Sequence, residues 1–269
     1  YKKPIKDAGL ILRALQYSNN INSFIITHCD DKTISHGGLM NEGVTSTRLG
    51  LKGMPALAEE IMLQRNIQIL EYTGGKMHIP TISTKGSVEL IKKAKAKKLN
   101  ITCGVAAYNL LLDETEVEGF DTNFKVNPPL RTKEDVEALK KAVADGIIDV
   151  IVSDHNPQDI ESKDLEFDLA DNGMVGLESC FGVANAALSS KASLEIVIDT
   201  LTKNPRTVLG LKEVAVKEGE EANLTIFNPG KKYVFEKSHI VSSNKNSGFI
   251  GKELKGEVIG VVNKNSFLS

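Results

Sequence analysis

The stretch IIDVIVSDHNPQ, residues 147–158, decides how the chain is read. Its first six residues are branched and apolar apart from Asp149, as in a strand covered on both faces of a parallel sheet. The run stops at Ser153, Asp154, His155 and Asn156. Parallel sheets place chemistry at the carboxyl ends of their strands, so Asp154 is the first candidate for a catalytic carboxylate. Asp-His-Asn-Pro is equally readable as a plain turn, because Asn-Pro is a common turn signal. The motif alone leaves these two readings even.

Outward from this strand, apolar runs and amphipathic segments alternate. A helical pattern covers residues 7–19, and FIIT at 24–27 reads as a short strand running into HCDD at 28–31. A glycine-rich loop follows at 36–43, and Pro55 opens a helix at a first-turn position, where a missing N–H costs little. Strands are expected near 68–71, 76–83 and 101–105, and a helix over 87–98. Residues 120–131, FDTNFKVNPPLR, form an extended loop, and Thr132 caps a helix over 133–144 with Asp135 in its first turn. Helices are expected over 175–189 and 194–201. Alternation to about Leu211 argues for parallel βα units, in a barrel or an open doubly wound sheet. Beyond it, short β-prone pieces at 214–216, 223–227, 232–235 and 257–262 read as a small all-β portion. The expected division is therefore a barrel-type domain over 1–211 and a small β portion over 212–269.

Composition narrows the function classes. The chain has 269 residues and a formal net charge of −2, which gives no sign of nucleic-acid or membrane binding. No apolar run approaches membrane-spanning length and no signal-peptide pattern occurs. Cys29, Cys103 and Cys180 are few and scattered, which fits a reducing cytosol rather than a disulfide framework or a cysteine zinc site. Phosphate-loop, dinucleotide-fingerprint and GxSxG patterns are absent.

Two strand ends carry candidate metal ligands, His28 and Asp154. Imidazole plus carboxylate suits zinc, which at a catalytic site takes about three protein ligands. A single histidine after a strand is more often a hydrogen-bonded structural residue, and spacing alone does not choose between the roles. Cys29 beside His28 is a poor nucleophile candidate, because neighbours on a strand point to opposite faces.

Several segments together resemble dihydroorotases of the amidohydrolase superfamily. They include HCDD at 28–31, GGLMNEG at 37–43, ISTKGSVELIKKAK at 82–95 and FDTNFKVNPPLRTKEDVEAL at 120–139. IDVIVSDHNP at 148–157, VGLES at 175–179, NPRTVLGL at 204–211, GEEANLTIFNP at 219–229 and NSGFIGKELKGEV at 246–258 continue in family order. The resemblance implies an α/β fold, a TIM-type (β/α)₈ barrel with a small β-sandwich. It also implies the reversible cyclisation of N-carbamoyl-L-aspartate to dihydroorotate in cytoplasmic pyrimidine biosynthesis. By the same resemblance zinc activates a water, His28 and Asp154 are metal ligands, and Asp154 is general base and acid. Asn127 and Gln158 then contact substrate through their side chains, and Asn172 and Gly173 through their backbones. A homo-oligomer and association with aspartate carbamoyltransferase are the expected assemblies.

The departures from the family pattern are equally specific. The family's His-x-His pair occurs nowhere here, and the match starts midway through the family barrel, so the N-terminal part of the barrel is expected upstream of Tyr1. Thr81 stands where the family has a metal-binding histidine, and His78, three residues earlier, faces the other way on a strand. Ala107-Tyr108-Asn109 replaces Pro-His-His. Gln158 replaces a histidine that contacts a substrate carboxylate. Three functions are compatible with this pattern: a dihydroorotase with an impaired metal site, a silent homologue acting as structural partner, and a hydrolase of another cyclic amide.

Overall fold

The computed structural model describes residues 7–264 and 266–268. The outer limits of the expected division, Tyr1 and Ser269, lie outside them. Helix α1 (Ala8–Asn20) starts at Asp7, whose side chain accepts from Gly9 N–H. Strand β1 (Ile25–Ile26) follows, then β2 (Met40–Asn41), α2 (Val44–Leu49), β3 (Gly53–Met54) and α3 (Ala56–Thr73). Next come β4 (Met77–Ile79), α4 (Lys85–Ala96), β5 (Ile101–Ala106), α5 (Lys133–Ala144) and β6 (Val150–Val152). The short α6 (Ile160–Lys163) precedes α7 (Cys180–Leu188), α8 (Leu194–Leu201) and α9 (Lys203–Val208). Three strands end the chain: β7 (Asn223–Val234), β8 (Glu253–Asn263) and β9 (Ser266–Leu268).

Strands β1, β4, β5 and β6 form one parallel sheet in that order. Each is joined to the next by helical crossovers, as parallel pairing requires. The ladder extends past the named strands: Thr27 N–H donates to His78 O, Ile82 N–H to Gly104 O, and His155 bridges in parallel to Met174. Helices α1, α3, α4 and α5 pack side by side over the sheet. Their buried Leu15, Leu63, Ile91 and Leu139 meet Ile79, Val105 and Ile151 in one core. Strands β2 and β3 form a small parallel pair, and β7, β8 and β9 an antiparallel sheet on which α7 rests.

Local chemistry accounts for most helix ends. Thr84 accepts from Ser87 N–H at the start of α4. Thr132 and Asp135 make a reciprocal capping box at the start of α5, satisfying donors that the helix leaves unpaired. Gly74 ends α3 in the left-handed conformation.

Four expectations change. Residues 68–71 are the end of α3, not a strand; Met62, Leu63, Asn66 and Leu70 share one buried helical face, which overrides the alternation of Ile67 and Ile69. Pro55 is the residue just outside α3 rather than its first turn. The helix expected from Val175 starts only at Cys180, because Met174 bridges to His155 and 177–179 form a turn before it. Residues 223–227 and 232–235 belong largely to the single strand β7, irregular between Asn228 and Lys232, and 214–216 form no strand.

Candidate functional site

The four parallel strands deliver a row of polar side chains at their carboxyl ends. His28 follows β1, Thr81 follows β4, Tyr108 follows β5 and Asp154 follows β6. The row is held by hydrogen bonds between neighbouring strand ends. Thr81 Oγ1 and His28 Nδ1 share one at 3.3 Å. Tyr108 donates its hydroxyl hydrogen to Asp154 Oδ2 at 2.5 Å. Tyr108 is 1% exposed. Burial first, and then the charge of Asp154, push its pKa well above the ordinary tyrosine value, so it stays protonated as the donor. Asp154 has φ of +44°, a left-handed conformation that an aspartate tolerates better than a bulkier residue. Its carboxylate meets the Tyr108 hydroxyl.

Asn127 lies in the loop before α5, and its bond to Pro128 is cis. It lines, with His28, Asp30, Glu59 and Arg131, a cavity of about 10 Å³, room for about one water. Arg131 is the anchor of this loop. Its guanidinium donates to Ser83 Oγ at 3.0 Å, Asn41 Oδ1 at 2.8 Å and the Met54 carbonyl at 2.7 Å. The buried Glu59 sits 3.9 Å from it and accepts from the Ser83 and Thr84 N–H groups and from both Ser83 and Ser87 hydroxyls. NPPLR and ISTKGS are thus joined by one buried polar network, whose members are nearly all satisfied within the chain.

Gln158 Nε2 donates to the Asn172 carbonyl at 3.0 Å and to Asn156 Oδ1 at 3.2 Å. Asn156 Nδ2 donates to the same carbonyl. Gly173 N–H donates to Lys125 O at 2.8 Å, and Gly173 O accepts from Asn246 Nδ2 at 3.1 Å. Gly173 has φ of +137°, and a Cβ there would lie 2.4 Å from Asn156 O, so only glycine fits. The backbone groups expected to meet a substrate are partly engaged by the chain itself. His155 points elsewhere: its Nδ1 accepts from Gly176 and Leu177 N–H.

His78 is buried on the other side of β4, with Nδ1 2.8 Å from Thr102 Oγ1, and it does not stand in for Thr81. Cys29 is buried, its thiol pushed up to about 12 by that burial and then by Glu59, which makes it inert as a nucleophile. A large open depression of about 740 Å³ lies at the opposite, amino end of the sheet, against Lys76, Asn100, Asp149 and Asn204. It is remote from the row of strand-end side chains.

The described residues do not by themselves supply a complete zinc site. Among the described residues no group of three or more His, Cys, Asp or Glu side chains could hold a metal ion. A neutral threonine hydroxyl is a poor zinc ligand. His28 Nδ1 and one Asp154 oxygen are already bonded to neighbouring side chains. Tyr108 is the residue of this row that the sequence marked only as a departure from the family pattern. Its only signal was a large hydroxyl-bearing side chain ending an apolar strand.

Comparison with known proteins gives the family and the fold. The amidohydrolase family profile matches residues 6–264. A dihydroorotase of Pelotomaculum thermopropionicum is 44% identical over 255 residues, covering 94% of this chain and 60% of that protein. A dihydroorotase of Thermoanaerobacter sp. strain X514 is also 44% identical, covering 95% of this chain and 59% of its own length. The chain therefore spans about 60% of the curated relatives it matches. Among solved structures, an L-hydantoinase (dihydropyrimidinase) from Arthrobacter aurescens superposes with a TM-score of 0.86 at 21% identity, covering 99% of this chain and 63% of that one. A Thermus sp. D-hydantoinase gives 0.82 at 21% identity, covering 98% and 62%. At that identity the likeness shows the fold, a TIM-type barrel of the amidohydrolase kind.

Proposed function

The chain belongs to the amidohydrolase family, and from that premise we propose a dihydroorotase-like cyclic amidohydrolase of pyrimidine biosynthesis whose metal centre is impaired. The observation that carries this reading is the row His28, Thr81, Tyr108 and Asp154 on consecutive strand ends of one parallel sheet. The substrate class is N-carbamoyl-L-aspartate and its cyclic amide, dihydroorotate. In ring opening, water adds to the amide carbonyl and the C–N bond breaks. Asp154 takes the proton from the water and returns it to the leaving nitrogen. Tyr108 occupies Oδ2, which leaves Oδ1 for that proton. Asn127 and Gln158 offer neutral hydrogen bonds to substrate, with the backbone of Asn172 and Gly173 forming one edge. No step is assigned to zinc, because the donors present do not hold it.

A second reading is favoured by the two closed pairs, Thr81 with His28 and Tyr108 with Asp154. In it the chain is a silent homologue that assembles with itself and with aspartate carbamoyltransferase. Among the described residues no helix is long and apolar enough to cross a membrane, and the three free cysteines suit a reducing cytoplasm.

The deciding experiment is ring opening of dihydroorotate by the full-length protein, with Asp154→Ala beside it. Turnover that is lost in Asp154→Ala supports the first reading. No turnover, with co-elution of aspartate carbamoyltransferase, supports the second. Turnover of a different cyclic amide alone would reassign the substrate.

A further inference from the structure

Helix α3 is apolar on two faces. Its inner face carries the buried Met62, Leu63 and Leu70 into the core. Its outer face carries Leu57, Ile61 and Tyr72, which are 52%, 44% and 78% exposed. Gln64 and Gln68 complete that outer row and are exposed as well. The five positions recur at steps of four, three, four and four residues, so they lie in one stripe along the helix. At a rise of about 1.5 Å per residue the stripe is about 22 Å long. A helix with apolar rows on opposite faces needs cover on both.

The next two helices of the layer show what a solvated outer face looks like in this protein. On α4 the exposed positions are Lys85, Glu89, Lys92, Lys93 and Ala96, and on α5 they are Lys133, Glu134, Glu137 and Lys141. Charge dominates both. Among the described residues of α3, Glu71 is the one exposed charge, and Lys97 pairs with it from the end of α4. The charges bordering the stripe are also engaged: Glu60 accepts from the Thr84 hydroxyl, and Arg65 donates to Asn66 Oδ1. Helix α3 lies between α1 and α4, so its flanks are taken and its outward stripe is what remains open.

We propose that this stripe is the contact between two copies of the chain, with α3 pairing antiparallel to its own copy across a two-fold axis. Such an axis brings one surface patch against itself. A charged stripe would then meet its own sign, at a cost that an uncharged stripe avoids. Glutamine suits the same role, because its amide is donor and acceptor at once and can pair with an identical group. The spacing is self-matching as well. An axis passing between positions 64 and 65 is equally far from 57 and 72, and from 61 and 68. It therefore sets Leu57 opposite Tyr72 of the partner subunit, and Ile61 opposite Gln68 of the partner subunit. The Gln64 side chain lies next to the axis. Pairing removes the three apolar side chains from water, which is the driving force for association. None of His28, Thr81, Tyr108 and Asp154 lies on α3, so the contact holds under either reading of that row.

The test is sedimentation of the full-length protein over a concentration series, beside variants at exposed positions. The wild type is expected to be a dimer. Ile61→Glu and Gln68→Lys are each expected to raise its dissociation constant at least about tenfold. Both replacements are good helix formers at solvent-facing positions, so the fold is kept. The double variant, Ile61→Glu with Gln68→Lys, sets opposite charges across the axis and is expected to recover most of the loss. A monomeric wild type, the outcome if another part of the full-length chain covers the stripe, would overturn the proposal. So would a dimer that neither single variant weakens, or a double variant no tighter than the weaker single one.

Discussion

Tyr108 and Asp154 are joined across the ends of β5 and β6, the buried phenol donating to Oδ2 of a carboxylate at 2.5 Å. In the dihydroorotase pattern a histidine stands at the tyrosine's position. A phenol can hold one oxygen of the aspartate, but it neither carries a positive charge nor exchanges protons near neutral pH. The pair therefore orients Asp154 without activating it. Tyr108→Phe keeps the ring in its buried slot and removes only the donor. The expected loss is about 1 kcal/mol of stability in urea unfolding, because Asp154 is half-buried and water partly replaces the bond. A variant as stable as the wild type would show that the bond contributes nothing to the fold.

Arg131 is expected to matter far more to stability than to chemistry. It gathers Ser83, Asn41, Met54 and Glu59 around one buried guanidinium. Arg131→Met leaves the buried Glu59 carboxylate without its cation and three acceptors without their donor, and should cost about 3 kcal/mol or more in denaturant unfolding. A loss below about 1 kcal/mol would show that the network is dispensable.

Acid should weaken the fold through His78. Burial lowers its pKa below 6.5, so the folded chain stays neutral there while the unfolded chain takes up a proton. Its contribution is complete above pH 6.5 and declines as pH falls through the lower folded value. Urea midpoints measured at pH 7.5 and 5 should show this decline. His78→Gln, which keeps a partner for Thr102, should make the decline shallower. An unchanged pH dependence in that variant would assign the acid sensitivity to other groups.

Much of this fold was readable from patterning alone. Strands at Ile25, Met77, Ile101 and Val150 were marked by short branched runs, and the start of α5 by Thr132 and Asp135. The strand expected at 68–71 failed because Ile67 and Ile69 alternate only locally, while the buried face of α3 repeats over four turns. Thr81 and Gln158 stood out as departures because the family motifs around them are kept. The roles of Arg131 and Tyr108 were hidden because both depend on partners about 45 or more positions away in sequence, which no local pattern contains.

Thr81 is the residue on which the proposed impairment of the metal centre turns. The most direct measurement is zinc affinity of the full-length wild type and Thr81→His, titrated side by side against a chelator. The expected result is binding at least about tenfold tighter in Thr81→His, since a missing imidazole ligand is restored beside His28. Wild-type protein that already holds zinc as tightly as Thr81→His would contradict it.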